Sequence, residues 1–112
     1  MVIERGGVYW TDFPGAVGAE IRKKRPAVVV SSDDHNLHMR TVTVAPLTSS
    51  PREAPPHEVA IPSGVVGDGR PCRIKPHQIQ SVDKRRLGRR MGRLPPVWMS
   101  ALETLLRAHL GL

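Results

Sequence analysis

The chain has one cysteine, Cys72, among its 112 residues. An internal disulfide and a cysteine zinc cluster are therefore excluded. No apolar run approaches the roughly 18 residues that would span a bilayer. The opening MVIERGG lacks the apolar segment of a signal peptide, so a cytoplasmic protein is expected. Aromatic residues are scarce, with two Trp, one Tyr and one Phe, so any core must be built from aliphatic side chains. Acidic residues are also in deficit. Ten Asp and Glu face seventeen Lys and Arg, a formal charge of +7 that favours a polyanionic partner, nucleic acid or an acidic protein segment. The chain contains no H-E-x-x-H, no Walker-type phosphate loop and no dinucleotide fingerprint. Asp33, Asp34, His35 and His38 make its only cluster with metal-ligand character. They fall in a polar loop and suit neither magnesium nor zinc, so no metal or cofactor is expected.

What is present is a succession of short β-prone runs, with turn signals between them. Val8 to Asp12 reads as a first strand, and Trp10 in it as a core or interface residue. Phe13 to Lys24 follows as a Gly-containing loop, a candidate mobile flap. Arg22 to Ser32, RKKRPAVVVSS, runs four cations into an apolar strand, with Pro26 at its start. A polar loop over 32–40 leads to a second β-rich run, TVTVAPLTSS. Antiparallel pairing of the two runs sets Arg25 opposite or nearly opposite Thr48. A guanidinium and a hydroxyl would then share one end of a rigid hairpin, beside three more cations. That is a phosphate site, or else a solvated hairpin end.

After a proline-rich connector, strands are expected at Glu58 to Ile61, Cys72 to Ile74, Gln78 to Val82 and Arg89 to Leu94. Lys84 to Arg93 carries six of the seventeen cations, either as an RNA track or as a charged strand edge that discourages aggregation. Pro95-Pro96 opens a helix over Val97 to Leu110 that ends at Gly111. Its apolar face holds Trp98, Leu102, Leu105, Leu106 and Leu110. A single domain over 1–112, a small β-barrel with a C-terminal helix, is the expected architecture.

The order G-x-V-Y-W, V-G-x-E, K-x-R-P-A-V-V-V-S, P-L-T-S, and then QIQSVDKRRLGRRMGRL with a closing amphipathic helix, resembles the MazF/PemK family of toxin endoribonucleases. The likeness runs from about Arg5 to Leu112. It implies an SH3-like barrel and a homodimer that cleaves single-stranded messenger RNA without metal, as the toxin of a toxin–antitoxin pair. It also implies an acidic antitoxin tail laid over the RNA groove. By resemblance, Arg25 and Thr48 are catalytic. An Arg with a pKa above about 12 is a poor base and a natural stabiliser of phosphorane charge, while Thr48 would hold a phosphate oxygen. Candidates for RNA contact are Glu20, Arg22, Lys23, Lys24, Ser49, Lys75 and Gln78. Glu20 either positions the basic block by pairing with an Arg or is freely solvated.

One position departs from the family. Relatives often carry Asp before the Gln-Ile pair, and here His77 stands there. With a reference pKa of about 6.5, a His can serve as base or acid. Lys75, two residues earlier in an extended segment, would face the same side. His77 is thus either a third catalytic residue or a residue that contacts a base or packs at a dimer seam. Two other functions share these features: a gyrase-targeting toxin of the same fold, and a non-catalytic basic RNA-binding module.

Overall fold

The computed structural model describes residues 2–13, 15, 17–19, 23–49, 53–66 and 69–112. Seven strands and two α-helices follow in the order β1 (Gly7–Phe13), β2 (Lys23–Val29), α1 (Asp33–His38), β3 (Thr41–Thr48), β4 (Val59–Ile61), β5 (Cys72–Ile74), β6 (Gln80–Asp83), β7 (Leu87–Arg93) and α2 (Pro96–Leu110). Single 3-10 turns at Pro76–Gln78 and Lys84–Arg86 flank β6. The sheet runs β4-β5-β3-β2-β1-β7, with β6 attached to β3, and the described pairings are antiparallel. The fold class is the expected one, mainly β with a C-terminal helix. The barrel is open, with β4 and β7 at the two ends of the strand order.

The run Ala27–Val29 is apolar at every position because both of its faces are covered. Val28 joins one cluster with Leu47, Ile74 and Leu102, while Ala27 and Val29 join a second with Tyr9, Val42 and Val82. Helix α2 covers the first cluster with Met99 and Leu102. Trp98, Leu105 and Leu106 are partly buried against it, and Leu110 lies mostly in solvent. The helix starts at Pro96, where a missing N–H costs nothing, and ends at Gly111, whose φ of 72° is left-handed. It packs against β4 and the 76–78 turn.

Three expectations need correction. The polar stretch between β2 and β3 is not all loop. Ser32 caps α1 by accepting the His35 N–H at 3.1 Å, and Asp33 and Asp34 occupy its first turn, where the helix dipole favours anions. Pro26 does not begin its strand. β2 starts at Lys23, and Pro26 sits inside it opposite Trp10, on a stretch paired to β1 alone, where a missing N–H is tolerated. The segment through His77 is a 3-10 turn, not extended, because Pro76 at its first position fixes a helical φ. The alternation that set Lys75 and His77 on one face does not hold there.

Candidate functional site

β3 is bonded to three partners in succession. Its first half pairs with β6, its middle with β2 and its last two residues with β5. The β2–β3 register joins Ala27 to Pro46, Val28 to Ala45 and Val29 to Val44, the register that aligns Arg25 with Thr48. Beyond Ala27 and Pro46 no further β2–β3 pairs occur among the described residues, while the opposite edge of β3 goes on to pair with β5. The two strands part there, and a cleft of about 260 Å³ opens between them.

Lys24, Arg25, Thr48, Ser49 and Arg70 line this cleft, with Trp10 as an aromatic wall. Trp10 is more than a third exposed, neither core nor fully covered. β7 passes close to it at Gly88, where a Cβ would come within 3.3 Å of the Trp10 carbonyl. Arg25 is half-buried, and that burial lowers its pKa from the ordinary arginine value. It stays cationic at neutral pH regardless. No carboxylate is present among the described lining residues. The cleft is thus a cationic pocket with hydroxyls on one wall and a ring on another. It fits a phosphate next to a planar base. Lys23, at the entry to β2, holds a φ of 67°, the one non-glycine residue among those described in the left-handed region.

Lys75, His77 and Gln78 do not line the cleft. Lys75 donates its backbone N–H to the Pro46 carbonyl at 3.0 Å, and the Gln78 amide donates to the Ala19 carbonyl at 3.1 Å. His77 instead meets His57, edge to face, with ring centres 4.9 Å apart. Its pKa is lowered, first by burial and then by the neighbouring His57, with Glu58 opposing. Glu58 is buried and forms an ion pair with Arg73, also buried. Glu20 and Arg22 lie outside the described residues, as does part of the expected flap. The Asp33–His38 group gathers no metal-like set. His38 Nδ1 lies 2.9 Å from the Asp34 carbonyl, and His35 Nε2 lies 3.0 Å from that of Thr41.

Arg70, His57, Glu58 and Arg73 were not singled out from the sequence as site residues. Arg70 follows a glycine-rich loop that brings no motif with it. Glu58 read as the first residue of a strand, and its burial beside Arg73 depends on β4–β5 pairing, in which Ala60 faces Arg73.

A family model described as the PemK-like, MazF-like toxin of type II toxin–antitoxin systems matches residues 4–110. The chain is 33% identical to endoribonuclease MazF9 of Mycobacterium tuberculosis, covering 99% of this chain and 98% of that protein. It is 32% identical to endoribonuclease EndoA of Bacillus subtilis, over 100% and 97%. Among solved structures, MazF from Deinococcus radiodurans superposes with a TM-score of 0.88 at 25% identity, covering 100% and 99% of the two chains. A mycobacterial endoribonuclease in complex with its cognate antitoxin superposes with a TM-score of 0.79 at 28% identity, over 97% and 95%.

Proposed function

The chain belongs to the PemK-like, MazF-like family of type II toxins, and from that premise we propose that it is a sequence-selective endoribonuclease acting on single-stranded messenger RNA. The observation that carries the site is the placement of Arg25 and Thr48 on one cationic cleft where β2 and β3 part. A base takes the proton of a 2′-hydroxyl. The oxyanion attacks the adjacent phosphorus, and the bond to the 5′-oxygen breaks as that oxygen gains a proton. The products are a 5′-hydroxyl and a 2′,3′-cyclic phosphate, or its opened 3′-phosphate. Arg25 stabilises the phosphorane with its planar fork, and Thr48 donates to a phosphate oxygen. Lys24 and Ser49 contact the phosphates on either side, and Trp10 offers a face to a base. His77 is the proposed proton-transfer group. It stands outside the cleft lining of a single chain and would transfer the proton in the metal-free protein.

The same reading makes the protein the toxin of a pair, a cytoplasmic homodimer held inactive by an acidic antitoxin. The net charge of +7 supports such a partner, since an acidic segment and RNA would compete for the same cations. The test is incubation of purified protein with a mixed RNA pool, followed by mapping of new 5′ ends. Cuts within a shared short sequence, bearing 5′-hydroxyls, are expected. An intact pool, or rapid cutting of a substrate with a 2′-deoxy residue at the cut site, would overturn the reading.

A further inference from the structure

The connector between β3 and β4 returns His57 and Glu58 against the 3-10 turn that carries His77. One donor atom from each of the three lies within 4.8 Å of the others. No other such group of three His, Cys, Asp or Glu residues occurs among the described residues. Glu58 is fixed by its ion pair with Arg73, which engages Oε1. Its other oxygen lies 3.8 Å from His57 Nε2. His77 Nδ1 is buried without a hydrogen-bond partner. A buried polar atom left unsatisfied requires an explanation, and a missing ion is one of the few available.

The geometry is close to that of a coordination site. Metal–donor bonds of about 2.0–2.2 Å at tetrahedral angles put donors roughly 3.4 Å apart. The His57–Glu58 pair, at 3.8 Å, is wider by about 0.4 Å, and no pair exceeds 4.8 Å, about 1.4 Å wider at most. His57, with a side chain 61% exposed, is free to close the gap. The surrounding charge narrows the choice of guest. Arg73 offsets the one carboxylate, and Lys75 and His109 add positive charge near His77. Ions that bind by charge alone, such as magnesium and calcium, gain little here. Ions that favour imidazole, such as zinc, gain most.

We propose that His57, Glu58 and His77 form a three-donor site for a zinc-class divalent ion, with the remaining position open to solvent. The ion would clamp the connector before β4 to the turn after β5. Because His77 also figures in the proposed function, the test reads metal binding directly and not RNA cleavage. The full-length protein, stripped with a chelator, is titrated with Co²⁺ followed by visible absorption, and with Zn²⁺ by calorimetry. One ion per chain and the strong absorption of tetrahedral Co²⁺ are expected. His57→Ala and His77→Ala should each weaken binding at least about tenfold, whereas His35→Ala and His38→Ala should not. His57 is exposed, so its replacement tests the site without unfolding the chain. Absence of uptake up to millimolar ion, or uptake undiminished by His57→Ala, would overturn the proposal.

Discussion

The cleft around Arg25 and the cluster around Glu58 meet at one rung of the pairing of β3 with β5, and their chemistry is opposite. The cleft has cations and hydroxyls and no carboxylate among its described lining residues, so it is prepared for an anion. The cluster is assembled around a buried carboxylate, with two imidazoles beside it, so it is prepared for a cation. Thr48 and Arg73 are direct partners across β3 and β5, yet the first serves the cleft and the second holds the cluster. Neighbouring positions on one sheet can thus host guests of opposite sign. What separates them is the composition of each site: Glu58, paired with Arg73, stands at the centre of the cluster, while no carboxylate is among the described residues that line the cleft.

Removing either anchor should break this division. The largest effect is expected from Glu58→Ala. It leaves Arg73 buried without its partner and should cost about 3–5 kcal/mol of stability by urea denaturation. A loss within about 0.5 kcal/mol would mean that the pair is not the foundation of the cluster. Arg25→Ala should keep the fold and lower the cleavage rate by at least about a hundredfold. Arg25→Lys should restore only part of that, since a point charge lacks the planar fork. Wild-type rates in folded Arg25→Ala would remove the cleft from the chemistry. Thr48→Ala should cost less, about tenfold in rate, with Thr48→Ser recovering most of it, because one hydrogen bond to a charged group is at stake. Equal rates for the alanine and serine variants would show that the hydroxyl is idle.

The smallest effect is a pH dependence in the cluster. His77 is held below the ordinary histidine pKa, first by burial and then by His57, with Lys75 and His109 adding to the shift and Glu58 opposing it. The unfolded chain therefore takes up the proton first. The stability associated with the neutral ring is full above about pH 6.5 and is lost as pH falls through the folded value. Denaturation midpoints of wild type should fall over that window, and those of His77→Gln should fall less. Parallel curves would place the titration elsewhere. In the cleavage assay, His77→Ala should flatten one limb of the pH–rate profile. A profile unchanged in shape would leave His77 to recognition alone.

The β2–β3 pairing was legible because two β-prone apolar runs flank one short polar stretch, which sets Arg25 opposite or nearly opposite Thr48. The amphipathic α2 was legible from the helical spacing of its apolar residues. Helix α1 was obscured by its own polarity. Ser32-Asp33-Asp34 is a helix-start signal, but without an apolar stripe it reads as loop. The cluster was hidden more deeply. His57 and His77 are twenty residues apart, and only the return of the connector and the Pro76 turn bring their rings together. Spacing along the chain carries no trace of such a meeting.

The three successive partners of β3 have a kinetic consequence. Val44 pairs with β2 on one edge and with β6 on the other, so exchange of its amide with solvent deuterium should require opening of the whole fold. Thr48 closes the last described rung of the same strand, paired with β5 on one edge and past the last β2 pair on the other. Its amide should exchange through fraying of that rung alone. The hydroxyl proposed to meet the phosphate would then sit at the loose tip of the slowest-opening strand, held in place along the chain and able to adjust at its end.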